Sequence, residues 1–124
     1  MRLAANVALL AGLALPALAQ NPPDAAEGET LFQATCALCH SATAERGPRS
    51  GPPLWGVVGQ RAGFVKGFPY SEAHLKSGLV WTAATLDKYL ADPRAAVPGT
   101  VKIFRGTAQA QDRAALIAYL QTLK

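Results

Sequence analysis

The sequence predicts one small all-α domain of about four or five helices joined by long loops. Apolar residues recur at three- and four-residue spacing after helix-capping residues, and no segment alternates polar and apolar residues as a β-strand does. The 124 residues suffice for one hydrophobic core, and 50% apolar with 16% charged residues is a globular composition. Together these observations favour a helical domain over a β-fold or a disordered chain.

Each helix is predicted from a capping residue or a proline at its start, or from an apolar stripe along its length. The last helix has the clearest stripe, formed by Leu116, Ile117, Leu120 and Leu123. The predicted elements are a helix from Asp24 to about Cys36, a short helix at Ser71–Lys76, a helix from Thr82 to about Ala91, a short turn at Asp92-Pro93, and a helix over about Gln109–Leu123.

The loops predict that something besides side chains fills the interior. Residues 47–67 contain six glycines and three prolines, which exclude regular structure there. Loops of this length in a small domain normally have a functional reason. Nine aromatic residues are a thin supply for a core, so we expect an embedded cofactor.

Residues 1–19 have the features of a signal peptide. Arg2 precedes an apolar run, and Ala17-Leu18-Ala19 forms a small-x-small cleavage site before Gln20. An uncleaved membrane anchor is the alternative, but the run is shorter than the ~20 residues that span a bilayer. We therefore expect residues 20–124 to form the mature domain. Its expected location is periplasmic or otherwise extracytoplasmic, with no permanent membrane anchor.

Charge and cysteine count exclude several classes of protein. The net charge is +4, but no two Lys or Arg residues are adjacent, so no nucleic-acid partner is expected. The two cysteines exclude a four-thiolate zinc site and a framework of several disulfides.

The chemistry is predicted from Cys36-Ala37-Leu38-Cys39-His40, a C-x-x-C-H motif. This pattern is typical of covalent attachment of one haem c. Residues three apart at the end of a helix share a face, so the thiols of Cys36 and Cys39 can both reach the vinyl groups of one porphyrin. His40 can then bind the iron.

Three other interpretations of the motif stay open at this stage. Cys36 and Cys39 could form a disulfide in an oxidising compartment. A thioredoxin-like dithiol would need a β-α-β setting, which the sequence lacks. Zinc could be bound by both cysteines with His40 and the distant His74, although His40 directly follows a ligand and would crowd the site.

Beyond the motif, the chain from about Glu27 to Lys124 resembles the class I, mitochondrial-type cytochromes c. The matching stretches follow in the family's order and spacing. They are Gly51-Pro52-Pro53-Leu54-Trp55-Gly56, Gly67-Phe68-Pro69-Tyr70-Ser71, Trp81, Leu86-Asp87-Lys88-Tyr89-Leu90, Asp92-Pro93, Pro98-Gly99-Thr100 and Leu116-Ile117-Ala118-Tyr119-Leu120. The resemblance implies the small cytochrome c fold, with its loops wrapped around one covalently bound haem.

The resemblance also implies roles for individual residues. The Pro52 carbonyl would hold the second ring nitrogen of His40. Tyr70 and Trp81 would bind a buried haem propionate, with core packing as the alternative or additional role of Trp81. Tyr89 would lie in the distal pocket. Gly28 and Phe32 on the first helix would pack against Leu116 and Tyr119 on the last.

The sequence departs from the family where its members place the methionine that binds the iron. In Pro98-Gly99-Thr100-Val101-Lys102-Ile103-Phe104-Arg105-Gly106 that position is Lys102, and the only methionine in the chain is Met1. Three outcomes follow: Lys102 binds the iron as a neutral amine, His74 binds it, or Lys102 turns to solvent and leaves the position open. We favour Lys102, because the family places this position inward.

The charged residues also depart from the family pattern. Gln60 stands where many relatives have an arginine near a propionate, with Arg61 beside it. Arg49 and Arg94 match the family's basic rim, whereas Val101 and Gln109 stand where lysines are common, so electrostatic steering of partners should be weak.

The predicted function is one-electron transfer between redox proteins, a donor and an acceptor of the oxidase, reductase or dehydrogenase kind. The iron would have unusual His40 and Lys102 ligation, and no bond-making catalysis is expected. The alternative is a peroxidase-like enzyme or ligand-binding haem protein with an open distal site.

Overall fold

The structure, a computed structural model, describes residues 21–45 and 47–124. Its helices are α1 (Ala25–Thr35), α2 (Glu72–Lys76), α3 (Ala83–Ala91), α4 (Pro93–Ala96) and α5 (Ala110–Thr122). Among the described residues, β-pairing is limited to an isolated bridge between Arg61 and Val80, which confirms the all-α prediction. The predicted signal peptide, residues 1–19, lies outside the described residues.

Local side-chain bonds explain where the helices begin. The Asp24 carboxylate accepts a hydrogen bond from the Ala26 N–H at 2.8 Å, and the Ser71 hydroxyl accepts one from the His74 N–H at 3.1 Å. Thr82 and Thr85 form a reciprocal capping box at the start of α3. Because each bond satisfies an otherwise unpaired N–H group, these starts are determined by short sequence segments.

Helices α1 and α5 pack so closely that only glycine fits at their contact. A Cβ atom at Gly28 would lie 1.9 Å from the Ala115 carbonyl oxygen and 2.8 Å from Cβ of Tyr119. One turn further on, the rings of Phe32 and Tyr119 pack with their centroids 5.3 Å apart. The predicted packing against Tyr119 is therefore present, and the backbone of Ala115 lies directly opposite Gly28.

The core lies between α1, α3 and α5 and extends under the long loops. The Gly56 N–H donates to the Leu123 carbonyl at 2.7 Å, which ties the glycine-rich loop to the end of α5. The buried residues that form the core are Phe32, Val57, Trp81, Leu86, Leu90, Leu116, Ile117, Tyr119, Leu120 and Leu123. Cys36, Tyr89 and Phe104 pack against this core while only partly buried.

None of the helices in the described part of the chain has the length and apolar character needed to cross a membrane.

Candidate haem-binding site

The C-x-x-C-H segment forms a tight turn directly after α1. Cys36 is the C-cap of the helix, and its carbonyl accepts hydrogen bonds from the N–H groups of Cys39 (3.1 Å) and His40 (2.9 Å). Both thiols are free and half-buried, so the disulfide alternative is not observed. Burial raises the pKa of the Cys36 thiol, an effect that the adjacent Thr35 hydroxyl partly opposes. The turn thus presents two thiols and one imidazole together.

His40 is held by the loop that follows it in the sequence. The Pro52 carbonyl oxygen lies 2.7 Å from Nδ1 of His40. Because a carbonyl can only accept, Nδ1 carries the proton and Nε2 keeps a free lone pair that can bind a metal. Burial lowers the pKa of His40, although the Pro52 bond opposes this, and the charge of Lys102 lowers it further. The structure therefore favours a neutral imidazole.

Three further bonds align the Pro52 loop with the C-x-x-C-H turn. The Arg49 guanidinium donates to the Ala37 carbonyl at 2.7 Å. The N–H groups of Gly51 and Leu54 donate to the carbonyls of Cys39 and Ser41 at 2.9 and 2.8 Å. These bonds determine the distance between the loop and the imidazole. Hydrogen bonds between the two loops, and not a helix, therefore position Pro52 against His40.

Gly51 contributes to the site in a way that the sequence analysis missed. A Cβ atom there would lie 2.6 Å from Cε1 and 2.9 Å from Nδ1 of His40, so the glycine backbone packs directly on the imidazole. Its only signal in the sequence is a glycine next to Pro52, and many glycines of this loop have no such contact.

Gly51→Ala is expected to displace the His40 ring and destabilise the haem-loaded protein by ~1–3 kcal/mol, the usual cost of overpacking. The matched control is Gly47→Ala in the same loop, where no atom lies within 4 Å of the added methyl group and the stability should change little. Urea unfolding followed by haem absorbance measures both variants. Equal stability of the two would show that Gly51 does not pack on His40 in solution.

A chain of stacked and edge-on rings runs from Phe68 to Tyr89. The ring centroids of Phe68 and Tyr70 are 4.8 Å apart, those of Tyr70 and His74 are 5.0 Å apart, and His74 lies 5.8 Å from Trp81. Trp81 in turn packs edge-on against Tyr89 at 5.0 Å. The structure thus brings together Tyr70, Trp81 and Tyr89, which the family resemblance implicated, and adds His74 between them.

The donors expected to bind a haem propionate remain available for that role. The Tyr70 hydroxyl oxygen accepts from the Val65 N–H at 3.1 Å, so its own O–H is free to donate. Trp81 is only 5% exposed, which accounts for its role in the core. Its indole N–H bonds to no described residue and is not sealed from solvent, so it can also bind a ligand.

Burial raises the pKa of Tyr89 to about 12. Below pH ~10, the ordinary tyrosine pKa, both folded and unfolded states keep the proton and the full stability is present. Between pH 10 and 12 only the unfolded state ionises, so stability is lost as the pH rises. We expect Tyr89→Phe to abolish this loss, which amounts to ~2–3 kcal/mol at pH 12. Urea unfolding of the two haem-loaded proteins at pH 9 and pH 11.5 checks it. A constant stability difference between them would contradict the prediction.

The loop that carries Lys102 is fastened at both ends. At its start, the turn at Gly99 packs against α2, where a Cβ atom would lie 3.4 Å from Cβ of Ala73. At its end, the Thr107 N–H donates to the Leu90 carbonyl of α3 at 2.7 Å. Arg113 of α5 holds the same end through the carbonyls of Thr107 (2.9 Å) and Ala108 (2.8 Å), and it also bonds Asp87 of α3 at 2.7 Å.

Within this loop Lys102 is half-buried, whereas its neighbours Val101 and Ile103 are 79% and 86% exposed. Lys102 forms neither of the two ion pairs found among the described residues. Burial lowers the pKa of its amine, and the charge of Lys102 lowers the pKa of both His40 and His74. The amine therefore lies within electrostatic reach of both imidazoles.

This arrangement fits haem c. Two thiols three residues apart, an imidazole with a free Nε2, unpaired donors on Tyr70 and Trp81, and partly buried apolar side chains are the groups that hold a covalently attached porphyrin. In residues 21–45 and 47–124 no three His, Cys, Asp or Glu side chains are grouped closely enough to hold a metal ion by themselves. The zinc alternative therefore has no ligand set.

Comparison with known proteins gives the same result. The model of the Cytochrome c family matches residues 25–124. Cytochrome c2 of Rhodopila globiformis is 48% identical over 103 residues, covering 83% of this chain and 96% of that protein. Cytochrome c2 of Rhodomicrobium vannielii is 46% identical over 112 residues, covering 90% and 89%. The solved structure of cytochrome cH from Methylobacterium extorquens superposes with a TM-score of 0.74 at 44% identity, covering 80% of this chain and 98% of that one.

The fold, the free thiols of the C-x-x-C-H turn and these similarities agree on one covalently bound haem c, attached through Cys36 and Cys39. The chain therefore belongs to the cytochrome c family, as a small helical single-haem electron carrier and not an enzyme.

Proposed function

We propose that the protein is an exported carrier in which His40 and Lys102 bind the two axial positions of the haem iron. It would pass one electron at a time from a donor to an acceptor, proteins of the oxidase, reductase or dehydrogenase kind. A haem held here supplies an iron that gains and loses a single electron. The side chains of this protein would bind the haem and orient it.

The half-buried position of Lys102 is the observation that supports the proposed ligation. Lysine usually extends to solvent, but here it is the half-buried residue between two strongly exposed apolar ones. A desolvated amine loses its proton readily, and only the neutral amine can bind a metal. A nearby iron would therefore compete with a proton that is already weakly held.

His74 is the weaker candidate for the same position. Its ring is stacked on Tyr70, with an interplanar angle of 6°, and it also contacts Trp81. Reaching the iron would require breaking these contacts, whereas Lys102 has no partner among the described residues to give up. We therefore assign the distal position to Lys102.

Two ligands that stay bound suit electron transfer. Pro52 and Gly51 hold His40 in place, and Gly99, Thr107 and Arg113 hold the loop of Lys102. Because contacts within the protein hold both ligand side chains in position, neither ligand needs to move when the iron gains an electron.

The side chains next to the ligands in sequence suggest how partners approach. Leu38 between the two cysteines is 77% exposed, and Val101 and Ile103 flank Lys102 with similar exposure. No lysine occupies these positions, so we expect association with redox partners to depend only weakly on ionic strength. Stopped-flow electron transfer at low and high salt measures this dependence.

Export rests on the predicted signal peptide and on the kinship with cytochromes c2. Intact-mass analysis of protein from the periplasm should find a chain that begins at Gln20 and carries one haem. A mass that retains residues 1–19 would contradict cleavage.

The spin state of the ferric iron tests the proposed ligation. We expect the purified holoprotein to be low spin at neutral pH by absorption and EPR, and Lys102→Ala to be high spin. Lys88→Ala, which removes an exposed lysine from α3, is the matched control and should stay low spin. Added imidazole should return the Lys102→Ala protein to low spin by filling the vacated position. A high-spin wild-type protein, or a low-spin Lys102→Ala protein, would show that Lys102 does not bind the iron.

A further inference from the structure

His74 is a buried imidazole for which the proposed ligation leaves no role. Its side chain is 8% exposed, and the only other buried polar side chain among the described residues is that of Ser41. Burying a polar ring without a partner costs free energy. The His74 ring nitrogens keep some access to solvent, so a polar group that binds with the haem can reach them.

Both the backbone and the ring of His74 are held in place. The Ser71 hydroxyl accepts from the backbone N–H of His74 at 3.1 Å, and the Ser77 hydroxyl donates to its backbone carbonyl at 2.7 Å. Its ring lies parallel to that of Tyr70 at 5.0 Å and contacts Trp81 at 5.8 Å. The imidazole is thus fixed between the two residues proposed to bind a haem propionate.

The ring nitrogens are free to bind that group. Neither bonds to another described residue, and neither is sealed from solvent. Because the His74 ring lies between Tyr70 and Trp81, its nitrogens can reach the same carboxylate as these two residues.

Many relatives have an arginine near this carboxylate, but neither Gln60 nor Arg61 supplies a positive charge there. Gln60 has no charge, and Arg61 is exposed, with its backbone held in the bridge to Val80. His74 is the remaining side chain between Tyr70 and Trp81 that can become a cation. Burial lowers the pKa of His74, whereas a neighbouring carboxylate would raise it.

We propose that His74 donates a hydrogen bond to the haem carboxylate bound by Tyr70 and Trp81, and takes up a proton when the iron is reduced. This rests on the proposed function and on the haem site, where the Tyr70 hydroxyl and the Trp81 indole N–H are free to bind that carboxylate. The electron comes from the redox donor and the proton from solvent, so the proton offsets the added negative charge. Electron transfer would then depend on pH.

Other ionisable groups near His74 contribute less to this exchange. Glu72 and Lys76 lie on the same helix but are exposed and paired with each other. Tyr70 and Tyr89 titrate only at high pH, because burial raises the pKa of each. Lys102 would be neutral and bound to the iron.

The test is the reduction potential of the haem-loaded protein as a function of pH. It is measured over the pH range in which the ferric absorption spectrum stays constant. The wild-type potential should fall with rising pH, approaching one proton taken up per electron. His74→Phe keeps an aromatic ring in the stack, and His74→Asn keeps an N–H donor. Both should give a potential independent of pH. The Asn variant should match the wild-type value at high pH, and the Phe variant should lie below it because the carboxylate loses its donor.

Three results would overturn the inference: a flat wild-type profile, a slope that persists in both His74 variants, or a high-spin ferric iron in His74→Phe. The last would make His74 an iron ligand. Failure of the Lys102 assignment is separate, since it appears as a high-spin wild-type protein or a low-spin Lys102→Ala protein and not as a change in the pH slope of the wild-type potential.

Discussion

Lys102→Met is expected to raise the reduction potential by a substantial fraction of the roughly 0.8 V over which axial ligands set haem potentials. A thioether stabilises ferrous iron, whereas an amine is a harder donor that stabilises ferric iron. Methionine is also unbranched and close to lysine in length, so it can occupy the half-buried position without moving the loop. The variant should acquire the His/Met ligation that the family usually has.

A spectroelectrochemical redox titration measures the change, with Lys88→Met as the matched control. The control removes a positive charge from an exposed position of α3 and should shift the potential only slightly. A shift in Lys102→Met no larger than that of the control would mean that residue 102 affects the potential only through its charge and not as a ligand.

The second large effect is expected from replacing both cysteines. Cys36→Ala combined with Cys39→Ala removes the two thioether bonds, so the haem should be extracted by acidified organic solvent, whereas the wild-type protein should retain it. Because the haem completes an interior with few aromatic residues, the variant should also unfold at lower urea concentration. Each single variant should keep one thioether and an intermediate stability.

Leu38→Ala is the control for this experiment. It lies between the two cysteines, is 77% exposed and carries no thiol, so extraction should leave the haem on the protein. Retention of haem by the double cysteine variant under the same conditions would exclude attachment through these thiols.

The fold and the attachment motif were predictable because their signals are local. Asp24, Ser71 and Thr82 cap their helices with bonds to N–H groups two or three residues away, so a short segment contains the information. The five residues of the C-x-x-C-H motif are consecutive, and one turn of chain brings the thiols together. Even Lys102 was visible as a departure, because Pro98-Gly99-Thr100 just before it follows the family pattern.

Other parts of the site depend on contacts between segments far apart in the chain. Nothing in the sequence around Gly51 indicates that its backbone packs on His40, because that contact forms only when bonds from Arg49 and Leu54 align two loops. The close contact between Gly28 and the backbone of Ala115 depends on how α1 and α5 cross. The loop of Lys102 is likewise held by Arg113, which lies on another helix.

The sequence by itself determined the helical fold class, the helix starts, the haem attachment through Cys36 and Cys39, and the loss of the usual methionine. Only the tertiary structure decided that Lys102 is half-buried, which backbone supports His40, and that His74 lies between Tyr70 and Trp81. The physical reason is the range of the interactions. Caps and motifs act within one helical turn, whereas burial, ring stacking and electrostatic coupling arise when distant segments meet in the fold.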